Sequence, residues 1–114
     1  MATPGERWSI YRNLNLGTTG VLIDSGVSVL KGFVITNASA SALFVKFYDS
    51  ASAPTVGTTT PVMTVRIPAA TTVVAMDAAI AFTAGLGAGA STGVADSDTT
   101  APQANDVVAN VFYG

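Results

Sequence analysis

The sequence predicts an all-β chain: a single-domain antiparallel β-sandwich of about eight short strands, jelly-roll or Greek-key in type. Three observations lead there. Apolar residues alternate with others at a period of two in LFVKFYD (43–49) and PVMTVRIP (61–68). Turn clusters return at short intervals, among them SG, NASAS, DSASAPTVGTTT and PAAT. Helical periodicity is nearly absent, while β-branched residues dominate. A chain of 114 residues is long enough to close one core without staples.

Residues 1–9 read as an N-terminal arm and 10–114 as the sandwich. ATPGER has no pattern of its own, so a free tail and an arm ordered on a neighbour and tied down by Trp8 both stay open. WSIYRNL (8–14) and GVLID (20–24) are the first strand candidates. VSVLKGFVITN (27–37) follows, with Val27, Val29, Phe33 and Ile35 on one face and Leu30 and Val34 on the other. In 43–49, Leu43, Val45 and Phe47 face one way and Phe44, Lys46 and Tyr48 face the other, toward solvent or a neighbour. In 61–68, Met63, Val65 and Ile67 point inward and Val62, Thr64 and Arg66 outward. Pro61 and Pro68 bracket that strand, where a missing N–H costs the ladder least.

TTVVAM (71–76), AIAFTAGL (79–86) and DVVANVFYG (106–114) complete the set. An Ala-rich helix over 69–90 is the local rival, and its Gly and Thr content with Val73-Val74 argues against it. In 107–113, Val107, Val111 and Tyr113 oppose Val108 and Phe112. Strands apolar on both faces are covered on both, by the fold itself or by a second chain. An oligomer interface is expected at 27–37 or 107–113.

Composition bounds the chemistry. There is no cysteine and no histidine, so disulfides, thiolate metal sites and the usual acid–base residue are out. Five basic and seven acidic residues give a net charge of -2, which offers no footprint for a nucleic-acid backbone. Only 11% of residues are charged, against roughly 25% in an ordinary soluble domain, and the mean hydropathy is +0.49. Such a surface is small, neutral and partly apolar. It is expected to be covered by partners or copies of itself, the alternative being that small neutral residues suffice. No run reaches the ~18 apolar residues of a membrane span. The N-terminus lacks a secretory signal pattern, so synthesis and residence in a cytosol are expected.

The stretch GLGAGASTGVADSDTT (85–100) carries three apparent motifs. Gly89 to Gly93 spells G-A-S-T-G, which matches a nucleophile elbow, but Ser91 has no histidine base and neither Lys31 nor Lys46 stands in a Ser-x-x-Lys pattern. The Gly-x-Gly spacing lacks the lysine of a phosphate loop and the βαβ unit of a dinucleotide site. Asp96 and Asp98, with Asp106 beyond, supply oxygens of the kind a hard cation takes. The sixth and twelfth positions counted from Asp96 are Ala101 and Val107, so no EF-hand is present. A glycine-rich strand feeding an acidic turn accounts for the whole stretch. Asn37-Ala38-Ser39 matches a glycosylation acceptor and reads better as a turn. Asp24, Asp49 and Asp77 fall at strand ends, where turn formation explains them. No catalytic residue, metal ligand or cofactor is expected, and the chain reads as a non-enzyme.

The order of strands and turns carries one further signal. KGFVITNASASALFVKFYDSASAPTVGTTTPVMTVRIPAA (31–70), followed by IAFTAGL, GVADSDTT and ANDVVANVFYG, resembles a group of small virion structural proteins of tailed bacteriophages, from about Ile10 to Gly114. The resemblance rests on no catalytic motif. It implies a head decoration or cement protein, assembled in a bacterial cytoplasm into the virion, binding across major capsid protein junctions as a dimer or trimer. Nucleic acid and membrane are not expected partners. Trp8 and Tyr11 in the arm region, then Phe112 and Tyr113, are the expected contact residues, because Tyr and Trp suit surfaces with one apolar and one wet side; core packing is the alternative for all four. The rival function is a tail or receptor-binding module that stacks host glycans on these aromatics.

Overall fold

A computed structural model describes residues 8–114. Residues 1–7 of the expected arm lie outside the described residues. The described chain has no helix and nine strands: β1 (Ser9–Asn13), β2 (Val21–Ser25), β3 (Ser28–Asn37), β4 (Leu43–Asp49), β5 (Met63–Ile67), β6 (Thr71–Ala75), β7 (Ile80–Phe82), β8 (Gly85–Ser91) and β9 (Val107–Tyr113). They form two antiparallel sheets. Sheet A runs β1-β9-β3-β6, with β7 also on β3, and sheet B runs β2-β8-β4-β5.

With β7 set aside, the pairing is nested. β4 pairs β5, β3 pairs β6, β2 pairs β8 and β1 pairs β9. One long antiparallel ribbon, folded over on itself, produces this order, and it is the wiring of a jelly roll. The inner faces enclose one core that includes Leu30, Phe33, Ile35, Val45, Phe47, Ile67, Phe82, Leu86 and Val111. Phe33 and Phe47 stack across the two sheets with ring centroids 5.7 Å apart.

Two local devices depart from simple alternation. In β3 the register against β9 shifts between Leu30 and Gly32, so Lys31 is an extra residue in a β-bulge. The bulge resets the parity: Leu30 points inward, and so do Phe33 and Ile35 beyond it. Leu30 and Phe33, opposed by strict alternation, therefore serve one core, while Val34 lies on the outer face and Val27 stands 80% exposed in the turn before the strand.

The expected strand over 79–86 is two strands in different sheets. β7 belongs to sheet A and β8 to sheet B, and the chain crosses between them at Thr83-Ala84. Asp49, at the end of β4, holds that crossing. Its carboxylate accepts the backbone N–H groups of Ala84 (2.8 Å), Thr83 (3.2 Å) and Gly85 (3.3 Å).

β8 explains the glycine-rich stretch. Leu86, Ala88 and Ala90 face the core, fully buried. Gly85, Gly87 and Gly89 lie on the outer face, where chain from other segments rests against the strand. Pro54 Cδ sits 2.9 Å from where a side chain on Gly87 would begin, and Val56 Cγ2 sits 2.5 Å from the same point on Gly89. The spacing i, i+2, i+4 puts all three glycines on one face of a strand, and this absence of side chains seats the 50–60 loop.

The same cover corrects the expectation for β4. Lys46 and Tyr48 do not meet solvent or a neighbour, for both are fully buried beneath the chain's own loops. Lys46 reaches across to the 92–100 loop, donating from Nζ to the Ala95 carbonyl at 2.6 Å. The chain itself thus covers the outer face of sheet B over β8 and around Lys46 and Tyr48, while Thr64 and Arg66 on β5 stay exposed.

Candidate interaction surface

The apparent chemistry of 85–100 resolves into architecture. Ser91 is fully buried, and its hydroxyl donates to the Gly93 carbonyl at 2.9 Å. Asp98 accepts the Gly93 N–H at 2.8 Å and the Thr100 hydroxyl at 3.1 Å. These bonds hold its carboxyl below the usual range, the Gly93 N–H contributing most, against an opposing effect of burial. Asp106 caps a separate turn by accepting the Gln103 N–H at 3.1 Å. Among the described residues no three acids gather in a form that would hold a metal ion.

Tyr48 lies under the same loop. Its hydroxyl is buried with no hydrogen-bond partner, and burial, reinforced by the nearby Asp96 charge, pushes its pKa up. A shallow cavity of about 220 Å³ is lined by Asn15, Gly17, Thr18, Thr19, Ala101, Pro102 and Ala104. It brings no titratable side chain toward a ligand. Asn37, in the glycosylation-like triplet, is fully buried; its amide donates to the Ser41 and Ile67 carbonyls and its oxygen accepts the Ser39 N–H.

The outer face of sheet A is different: its side chains on β3 and β9 are half-buried, and those on β1 and β6 are exposed. Directly paired residues share a face, so the register lays this surface out in rows. Ile10 faces Phe112, and Phe112 faces Gly32. Arg12 faces Asn110, Asn110 faces Val34, and Val34 faces Val74. Val108 faces Thr36, which faces Thr72. Ile10 is 65% exposed, Val74 58% and Met76 54%. Thr36 and Thr72 share a hydrogen bond of 2.8 Å between their hydroxyls. Arg12 carries a charge in the second row, and Lys31, half-buried in the bulge next to Gly32, lies off the core beside the first.

Comparison with known protein families, curated proteins and solved structures finds no match.

The four expected contact residues divide between two faces. Trp8 and Phe112 come together at the β1 margin of the outer face, ring centroids 6.1 Å apart and planes tilted by 31°. Their parity joins them to Ile10. Tyr11 and Tyr113 lie on the opposite side of the same strands and pack against the core. Tyr11 also accepts a 3.0 Å hydrogen bond at its hydroxyl from Asn13 Nδ2.

Val34, Val74 and Met76 complete the surface; Val34 lies in 27–37, one of the two strands where an interface is expected, whereas Val74 and Met76 are not among the expected contact residues. The signal was present in TTVVAM: Val73 packs toward the core while Val74 and Met76 are exposed. A strand whose outward positions are Thr, Val and Met has an uncommitted face.

Proposed function

We propose that the chain is a non-enzymatic structural protein of a tailed-phage virion, a decoration or cement module that stabilises the head by binding across junctions of the major capsid protein. One observation carries the reading. The chain covers the centre of one face of its sandwich with its own loops, whereas the other face exposes Ile10, Val74 and Met76. Large apolar side chains left exposed together on one face suit a surface that meets a partner.

The aromatic corner of Trp8, Ile10 and Phe112 is the contact assigned to the capsid. Trp and other aromatic anchors dominate interface energetics. The task is mechanical. A standard interface buries about 1,600 Å² in total, and a module engaging two neighbouring capsid subunits gains by avidity. Many such modules would have to release together before the shell parted. The jelly roll suits the role, since its edges are short and its core is independent of any partner.

Antibody labelling of phage particles whose genome encodes the chain, viewed by electron microscopy with mass spectrometry of the same particles, tests the reading. Label spread over the head is expected. Label confined to the tail, or no label on any particle, overturns it. W8A and F112A variants added back to heads stripped of the protein should bind weakly while remaining folded.

A further inference from the structure

We infer that β6 is an interaction edge, along which a second copy of this chain adds its own β6 in antiparallel register and continues sheet A across a two-fold axis. The inference goes beyond the virion reading and does not rest on it. It uses the backbone edge of the sheet and not its outer face, and the aromatic corner stands at the opposite edge, on β1.

The edges of the two sheets are not alike. β1 and β6 border sheet A, and β2 and β5 border sheet B. An edge strand offers unpaired N–H and C=O groups to any other chain, and charges, prolines, bulges or very short length guard against that. β2 has a register shift between Leu22 and Asp24, together with the Asp24 charge. β5 lies between Pro61 and Pro68 and carries Arg66. β1 carries Arg12, and β7, which shares the β6 side of β3, is three residues long. β6 has none of these devices. Its residues are TTVVA, uncharged and without proline, four of the five β-branched. Its pairing with β3 runs unshifted from Thr71 to Ala75. Among the described residues no further backbone bond reaches its outer edge.

The occupant follows from the strand's fit to itself. Ala70 and Asp77 have positive φ, 50° and 57°, so extended backbone stops just beyond β6 at both ends. Antiparallel pairing of two copies then engages all five residues only when it is centred on Val73. Thr71 meets Ala75, Thr72 meets Val74, and Val73 meets its own counterpart. The strand already sets Val73 against Ile35, Val74 against Val34 and Thr72 against Thr36, so the new ladder repeats the kind of cross-strand contact the sheet is built from.

Charge permits the same register. Asp77 falls opposite Ala69 of the second copy, and the two Asp77 side chains stand at opposite ends of the joined strands. No hydroxyl or charge on the outer face of sheet A is taken from water, because the second copy lies beside that face and not over it. The arrangement also closes. An edge joined to a different edge leaves an open strand at each end and grows a filament, whereas β6 on β6 uses up the unguarded edge of both copies.

Amide hydrogen exchange followed by NMR on the whole chain reads the edge directly. Alternate amides of an edge strand point away from its neighbour. Those of β6 should exchange fast in dilute protein and slow by about tenfold or more at millimolar concentration. Over the same range the mass from light scattering should rise from 11.5 kDa toward twice that value. T72K and V74K together, at two exposed positions, set like charges opposite each other twice across the axis. Circular dichroism should be unchanged and association weakened by about tenfold or more. Mixing that variant with one carrying T72E and V74E should restore association, because each lysine then meets a glutamate. R12E, exposed on the outer face of β1, should leave the dimer intact. A monomer at every concentration overturns the inference. So does a dimer whose β6 amides exchange as fast as in dilute protein, or one that survives the paired lysines. Particle binding by W8A and F112A is read separately, so failure of the dimer and failure of the virion reading are distinguishable.

Discussion

Val56 lies directly on Gly89, its Cγ2 2.5 Å from where a side chain on that glycine would start. Gly89 has Lys46 as its partner on β4, and Tyr48 Cε1 is 3.7 Å from the same point. A strand in the middle of sheet B thus has its outer side occupied by a loop and by two large side chains from its neighbour. The glycines of β8 exist to make this possible. They convert a surface that would otherwise face water into a second layer of packing.

Gly89→Ala should therefore destabilise by overpacking, by about 1–3 kcal/mol, read as a lower urea midpoint with unchanged slope. Val56→Ala alone also lowers stability by removing a buried side chain. Combining the two should cost less than the sum, with a coupling of at least about 0.5 kcal/mol. Strict additivity would show that the loop does not rest on β8 in this way.

Asp49 makes stability fall in acid. The Ala84 and Thr83 N–H groups hold its carboxyl below the usual range, outweighing the opposing effect of burial, with the Gly85 N–H and the Thr83 hydroxyl adding to them. A depressed folded-state pKa means that the contribution is complete above the unfolded value of about 3.9. It is lost as pH falls through the folded value, and Asp98 acts in the same sense. Stability should be flat from pH 7 to about 5 and drop below about 4. D49N should be less stable at pH 7 and show a shallower acid slope, so that its curve converges on the wild type in acid. Parallel curves would show that Asp49 is not the pin between β7 and β8.

The fold class was legible because alternation and turn spacing are local properties. β4 matches its expected span of 43–49, and the period of two in LFVKFYD placed Leu43, Val45 and Phe47 in the core. What was not legible depends on distant pairing. The bulge at Lys31 exists only against β9, so sequence alternation alone could not place Leu30 and Phe33 on the same side of β3. The break at Thr83-Ala84 depends on Asp49, 34 residues earlier in sequence from Thr83, and nothing in AIAFTAGL announces it. Burial of Lys46 requires the 92–100 loop, which composition marks only as a turn. For the candidate surface, Trp8 and Phe112 were readable as aromatics, whereas Tyr11 and Tyr113 differ from them only by strand parity.

Asn37 offers a pH dependence of opposite sign. Its amide donates to Ser41 and Ile67 carbonyls at 2.8 and 3.0 Å, tying the β3–β4 turn to the end of β5. Asn37→Ala removes these bonds and should cost about 2–3 kcal/mol. Asn37→Asp should cost more at neutral pH, because an ionised carboxylate cannot donate and would be buried against two carbonyl oxygens. Such a carboxyl has a raised folded-state pKa, so the extra cost is present above the unfolded value and relieved as pH falls. Urea unfolding of N37D at pH 7 and pH 4 checks this; equal deficits at both would refute the assigned bonds.

Lys46 separates the value of a side chain's stem from that of its charge. The residue is fully buried, and its amine meets the Ala95 carbonyl at 2.6 Å on an exposed loop. Lys46→Met keeps the stem and removes the burden of a desolvated amine, while water can replace the lost donor at Ala95. Replacing a buried charge by an apolar group of similar shape is often neutral or stabilising, so K46M should fall within about 1 kcal/mol of the wild type. Lys46→Ala empties the space over Gly89 and should cost about 2–5 kcal/mol, as for other long buried side chains cut to alanine. Equal losses in the two variants would mean that the amine, and not the packing of its stem, holds the 92–100 loop on sheet B. Proteolysis then distinguishes the contributions a second time: K46M should be cut faster than wild type within 93–99 while its global unfolding midpoint stays near the wild-type value, because only the tether of that loop has been released.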